Sequence, residues 1–338
     1  MKVIKLAKDY YKEALNLSEY AFQYKIPEDQ LSERIEKMDR HELYGILDDK
    51  RIAAKLHLIP FEIHMGKDLL KMGGIAGVAT YPEYRRNGYV KELLKYILSE
   101  MKNDGFTVSM LHPFYVDFYR KFGWELFNEH VKRTLKKSDL KFHQHVPGKI
   151  KRYDKTTHVS DVEVVYNQYA EQYYGMVVRD AKWWRQSVYD DLHVAVYYDE
   201  ANTPIGYILY KVKNSKMKVE EFIALNVEAR HGLWNFICQH DSMVDEVVMI
   251  TCADEPLFFT LKDPRVTIEI KPFGMVRIVD AEAFLTNYQF KWEAVSDELL
   301  LQVTDDYAAW NNQTFLLKEG RVLPLDSDTL GEARGLKL

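Results

Sequence analysis

Gly77-Val78-Ala79-Thr80-Tyr81-Pro82-Glu83-Tyr84-Arg85-Arg86-Asn87-Gly88-Tyr89-Val90 joins an apolar run to a segment of helical period through a basic turn that contains glycine. A strand delivered into a helix start in this way builds an anion cradle. The first amides of a helix have no intrahelical acceptor, the helix dipole is positive there, and Gly88 lets a ligand approach the main chain. Arg85 and Arg86 add positive charge at the mouth of the turn. Downstream, Val90, Leu93, Leu94, Ile97, Leu98 and Met101 recur at helical spacing until Asn103-Asp104-Gly105 ends the helix. Upstream, residues 42–47, 52–65 and 69–80 are predicted strands joined at Asp48-Asp49-Lys50 and Gly66-Lys67-Asp68, an antiparallel meander. After the helix, 106–111 returns to strand, 116–122 is a short helix closed by Gly123, and a strand resumes at Trp124.

A chain of 338 residues is long for a single core and suits two or three domains. With 47% hydrophobic and 29% charged residues it has the composition of a globular protein, not of a disordered one. The 23 tyrosines lead an aromatic share of 13%, which fits large filled cores better than it fits pocket linings alone. A net charge of −5 argues against nucleic acid or an anionic membrane as the main partner and favours a small cationic or neutral substrate. Cys238 and Cys252 are too few and too far apart for a disulfide framework or a thiolate metal site, so a reducing cytoplasm is expected. Lys5, Lys8, Asp9, Lys12, Glu13 and Glu19 interrupt the apolar residues of 1–24, which reads as an amphipathic helix and not as a leader or a membrane span.

The basic, polar stretch 136–151 contains Pro147-Gly148 and sets a first boundary, giving a domain over 1–145. The next piece, 146–273, repeats the same order: helices at 162–173 and 181–188, strands at 193–198, 205–212 and 218–224, a helix at 228–239, and strands at 246–251 and 266–271. Pro272-Phe273-Gly274 ends it. The last segment, 274–338, opens with Met275-Val276-Arg277-Ile278-Val279-Asp280, has a short helix and two strands, and closes on a weakly helical 325–336. About sixty residues are few for a self-sufficient core, so this segment is expected to lean on its neighbours or to be incomplete. The class is α+β.

The Arg85-Arg86-Asn87-Gly88-Tyr89-Val90 turn, with Phe118-Tyr119-Arg120-Lys121-Phe122-Gly123-Trp124 downstream, resembles the GCN5-related N-acetyltransferase (GNAT) superfamily over about residues 1–140. The whole chain resembles the Eis-like (enhanced intracellular survival) acetyltransferases, with two GNAT-type mixed-sheet domains and a sterol-carrier-like domain, here expected to be partial. Three later stretches carry that wider resemblance: Trp183-Trp184 with Ile205-Gly206-Tyr207-Ile208-Leu209-Tyr210, then Glu228-Ala229-Arg230 through Gln239-His240-Asp241-Ser242, then the Met275 to Asp280 run. The resemblance implies that Val78, Ala79 and Thr80 form the strand along the pantetheine arm of acetyl-coenzyme A. It further implies that Arg85, Arg86, Asn87, Gly88, Tyr89 and Val90 cradle the pyrophosphate, and that His112 stands where many members carry an asparagine that contacts the arm. Val90 departs from the small residue usual at its place. The second domain has only Glu228-Ala229-Arg230-His231-Gly232 at its helix start, and Glu228 would repel pyrophosphate, so one cofactor site per chain is expected.

Acetyl transfer to an amine needs a deprotonated nucleophile, a polarised carbonyl and a protonated leaving thiolate. By resemblance Tyr119 is the general acid for the last step. Relatives use the C-terminal carboxylate of their chain as base; the short final segment leaves that role off Leu338, and Glu28, Asp29 and Glu83 are candidates expected to be solvated surface charges. His143 and His145 lack a third ligand, so no metal is expected. The implied function is an acetyl-coenzyme A dependent N-acetyltransferase acting by direct attack of a primary amine, with an aminoglycoside, polyamine or lysine-like acceptor and a hexameric assembly. A non-catalytic acyl-coenzyme A sensor or apolar-ligand binder is the alternative.

Overall fold

The first unit spans residues 1–63, 70–127 and 274–338, and the second spans 64–69 and 128–273; the computed structural model describes residues 2–143, 146–256, 259, 261–291, 298–318, 320–325 and 336–337. In chain order the strands are β1 Val3–Lys5, β2 Glu42–Asp48, β3 Arg51–Met65, β4 Asp68–Thr80, β5 Val108–Leu111, β6 Glu125–Leu126, β7 Glu129–Lys136, β8 Lys149–Tyr153, β9 Tyr174–Val177, β10 His193–Tyr198, β11 Pro204–Lys213, β12 Lys216–Ala224, β13 Glu246–Thr251, β14 Thr267–Pro272, β15 Met275–Ile278, β16 Leu299–Val303, β17 Gln313–Lys318, β18 Arg321–Leu325 and β19 Leu336–Lys337. The helices are α1 Tyr11–Phe22, α2 Leu31–Lys37, α3 Tyr89–Asn103, α4 Val116–Arg120, α5 Ser160–Ala170, α6 Ala181–Trp183, α7 Val227–Cys238 and α8 Ala281–Asn287.

In the first unit one sheet has the order β1-β2-β3-β4-β5-β15-β6. β1 with β2, β2 with β3, β5 with β15 and β15 with β6 run antiparallel, and β4 with β5 run parallel. Strand alternation divides the side chains between two layers. Tyr44, Ile46, Ala54, Leu56 and Leu58 pack with Leu93, Leu94, Ile97, Leu98 and Met101 of α3. Leu43 and Ala79 pack with Ala14, Leu15 and Leu17 of α1 on the other face. The apolar spacing that predicts α3 is therefore the stripe it buries, and the five residues of that stripe are fully shielded from solvent.

Two strands join sheets other than those their places in the chain suggest. Glu129–Lys136, which precedes the boundary expected at 145, pairs with β13 and β14 in the second unit, where Val131 and Leu135 are buried. Met275–Ile278, expected to open the last segment, lies between β5 and β6 in the first sheet with Met275 in the α3-side core. Local periodicity identifies a strand, but its partner is set by non-local contacts.

The second unit has the sheet order β14-β7-β13-β12-β11-β10-β8, again with one parallel pair, β12 with β13. Beyond β15 a sheet of order β18-β17-β16-β19 packs Leu301, Phe315 and Leu317 against Ala281 and Leu285 of α8. Of the weakly helical stretch expected at 325–336, Leu325 ends β18 and Leu336 opens β19. Residues 326–335 lie outside the described residues.

Candidate active site

β4 and β5 pair only from Met72 with Val108 to Ile75 with Leu111, although β4 runs on to Thr80. Beyond Ile75 the strands part, and Ala76, Gly77 and Val78 are half-exposed in the middle of a sheet. A bulge marks the point of parting. Ile75 and Val78 both pack on the α3 side, an odd separation that strand alternation forbids, so one extra residue is inserted between them. Gly77 takes it up with φ +55, a conformation open to glycine.

Past Thr80 the turn tightens into a single 3-10 turn at Pro82–Tyr84, Arg86 adopts φ +65, and Gly88 at φ +80 starts α3. No side chain caps α3, and the first helical acceptor serves Glu92 N, 3.1 Å from Gly88 O. The amides ahead of it face outward as anion donors. A Cβ on Gly88 would meet nothing within 4 Å, so the space over the turn is open to a ligand.

Strand, turn and helix start enclose a cleft of about 730 Å³, lined by Val78, Ala79, Thr80, Arg85, Arg86, Gly88, Tyr89 and Val90 among others. Asn87 is exposed on the turn, and His112 is exposed directly after β5; neither lines the cleft. Thr80 Oγ1 is buried with no hydrogen-bond partner among the described residues, while Arg85 Nε donates to Thr80 O at 3.4 Å. An orphaned hydroxyl, an unpaired strand edge and a glycine helix start beside two arginines fit the amide-rich arm and the pyrophosphate of coenzyme A.

Tyr119 on α4 is 3% exposed. The edges of Phe114, Phe118 and Trp124 hold its ring, with centroids at 5.6, 5.1 and 6.4 Å. Phe114 and Phe118 line the cleft themselves. Burial pushes the Tyr119 phenol up to about 12, so it stays protonated across the neutral range. Glu28, Asp29 and Glu83 are exposed, and Leu338 lies outside the described residues. His143 stacks on His231 at 4.0 Å, His145 lies outside the described residues, and no group of three possible metal ligands occurs among the described residues.

Ala21 and Phe22 of α1, with Phe114 and Phe122, also line the cleft and escaped the sequence reading. Nothing local marks α1 as a cleft wall. In the second unit the corresponding helix start is closed. Two residues separate β12 from α7, the Asn226 side chain caps Ala229 N at 2.8 Å, and Glu228 accepts from the Tyr197 hydroxyl at 3.0 Å.

Family profiles for an acetyltransferase (GNAT) domain match residues 2–127 and 175–278, and one for a sterol carrier protein domain matches 281–338. An uncharacterized N-acetyltransferase of Streptomyces griseus is 23% identical over 310 residues, covering 82% of this chain and 73% of that protein. The crystal structure of a probable N-acyltransferase from Enterococcus faecalis superposes with a TM-score of 0.90 at 27% identity, over 97% of this chain and 86% of that one. Eis1 of Mycobacterium abscessus shares the fold with a TM-score of 0.79 at 18% identity, over 96% of this chain and 85% of that one. The chain belongs to the GNAT acyltransferases. Within them its two acetyltransferase domains followed by a sterol carrier domain make it an Eis-like tandem GNAT protein.

Proposed function

We propose that the protein transfers the acetyl group of acetyl-coenzyme A to a primary amine of an aminoglycoside, a polyamine or a lysine side chain, by direct attack in a ternary complex. The observation that carries this reading is the parting of β4 from β5 into a cleft that ends on the Gly88 helix start. Tyr119 serves as general acid, giving its proton to the sulfur as the C–S bond breaks. The protein-capped start of α7 supports a single cofactor site, in the first unit. A second cleft of about 610 Å³, lined by Asn16, Glu19, Tyr20, Tyr24 and Tyr81 among others, suits a cationic acceptor through its tyrosine faces and carboxylate. The Ile26 amide, and after it the Lys25 ammonium, hold the Glu19 carboxyl below its usual range, which keeps it ionised.

Incubation with acetyl-coenzyme A and a panel of such amines, followed by free thiol, tests the proposal. Release that depends on a primary amine supports it; coenzyme binding without release from any amine overturns it. That second outcome favours a sensor or apolar-ligand binder, a reading to which the cleft of about 980 Å³ beside Phe284, Leu285, Leu301 and Val303 gives some body. The reading also places the protein in the cytoplasm, where the free thiols Cys238 and Cys252 persist, and in a homo-hexamer. Light scattering that gives the mass of one chain would remove the hexamer.

A further inference from the structure

Chemistry divides the lining of the cofactor cleft. Thr80, Arg85, Arg86 and the Gly88 helix start form a polar half, while Ala21, Phe22, Phe114, Phe118 and Phe122 contribute side chains of carbon and hydrogen alone. Three of these form a row. The ring centroids of Phe122 and Phe118 lie 5.4 Å apart, and those of Phe118 and Phe114 5.3 Å apart. Along the row exposure climbs from 6% at Phe122, through half-buried Phe118, to 71% at Phe114, so it runs from the floor of the cleft to its mouth. Phe114 and Phe118 also hold the Tyr119 ring. The row therefore stands beside the proposed acid.

The remaining apolar lining comes from α1, which packs on the face of the sheet opposite to α3, and Phe22 there is 49% exposed. Aromatic faces left open to water in the lining of a cleft suit an equally apolar occupant. The amide-rich arm and pyrophosphate of coenzyme A belong to the polar half. No acidic side chain lines this cleft, so a cationic acceptor finds no counter-charge in it, unlike the cleft that holds Glu19. The acyl group is what remains, and the single methyl of acetyl would leave most of the row wet.

We infer that the preferred donor is a coenzyme A thioester of an uncharged straight acyl chain, of butyryl to octanoyl length, which lies along Phe122, Phe118 and Phe114. The inference rests on the acetyl-transfer reading above and names the donor class for the same site, with acetyl as its shortest member. The chemical step is unchanged. The amine nitrogen forms its bond to the carbonyl carbon, the C–S bond breaks, Tyr119 gives its proton to the sulfur, and the proton lost by the amine returns to the phenolate. Each methylene that leaves water for the aromatic row contributes about fourfold to kcat/KM. A short chain ending in a carboxylate is rejected, because none of the five side chains replaces the water it would lose.

The test uses the full chain and the acetyl, butyryl, hexanoyl, octanoyl and succinyl thioesters of coenzyme A, with free thiol followed in the presence of the fastest amine of the panel and affinity measured by calorimetry without amine. Butyryl is expected to exceed acetyl in kcat/KM by about tenfold or more, and succinyl to do no better than acetyl. Phe114→Ala and Phe22→Ala each lower the ratio of hexanoyl to acetyl by about tenfold. Both residues are exposed, so the fold is kept, as circular dichroism checks, and the ratio cancels any general loss of activity. A kcat/KM for acetyl equal to or above that of every longer chain overturns the inference, as does a ratio unmoved in both variants. Absence of thiol release from every thioester with every amine marks failure of the acetyl-transfer reading instead. Calorimetry then decides the inference: hexanoyl-coenzyme A bound about tenfold more tightly than acetyl-coenzyme A upholds it, and equal or weaker binding overturns it.

Discussion

Three aromatic edges fix the Tyr119 ring, so Tyr119→Phe keeps the packing and removes only the hydroxyl. If that hydroxyl protonates the leaving thiolate, kcat falls about 10²–10⁴-fold with little change in acetyl-coenzyme A affinity, as steady-state kinetics and calorimetry would read. Wild-type turnover would remove Tyr119 from the mechanism. Lys55, wholly buried with its Nζ 2.7 Å from Ser18 Oγ and 2.8 Å from His57 Nε2, makes a second prediction at this scale, on stability. Its folded pKa of about 7 lies below the ordinary 10.5, so between these values the unfolded chain binds more protons and stability rises with pH. Lys55→Met lacks that term. It is expected to be more stable than wild type by about 1–4 kcal/mol at and below neutrality, with the gap closing toward alkaline pH in denaturant melts. The aromatic setting of Tyr119 was legible because Phe118, Phe122 and Trp124 lie beside it on and after the short helix that follows β5. Lys55 and His57 left a signal too, two polar residues in an apolar strand, but Ser18 and His41 come from α1 and the approach to β2, and only folding brings them together.

At the scale of elements, α3 was written in the sequence, because burial of one stripe imposes a 3.6-residue period on the residues that form it. The strand, the turn and the Gly88 helix start were written there as well, since they are contiguous in the chain. The partners of β7 and β15 were not. A strand shows its own alternation, and β15 gives no local sign that β5 and β6 lie on its two sides. Met275 is fully buried in the core beneath α3, so Met275→Ala should destabilise the protein by about 2–5 kcal/mol, although Trp124, its nearest preceding partner in that core, lies far back in the chain. Denaturant melts check this; a loss well under 1 kcal/mol would mean that β15 adds little to the sheet.

At the scale of the chain, residues after β15 are tied to the first unit by a buried ion pair. Arg277 contacts Asp305 and the Phe122 carbonyl, Trp310 Nε1 donates to Val279 O at 2.8 Å, and Asn311 accepts from Ala281 N at 2.9 Å. Burial lowers Arg277 and Asp305 opposes the shift, so Asp305→Ala leaves a guanidinium buried without its counter-charge. The expected cost is about 3–5 kcal/mol by thermal or chemical melts, and a neutral substitution would mean that Arg277 is solvated by other groups. The sequence by itself determined the α+β class, the order of the repeated units and the strand–turn–helix over 77–90, because each rests on periods and turns formed by neighbouring residues. Tertiary structure alone decided which strands share a sheet, that α1 walls the cleft between the β4 end and the Gly88 turn, and that a lysine and two histidines meet behind the β4 bulge. Those outcomes depend on contacts between residues far apart in the chain, which local patterning does not specify.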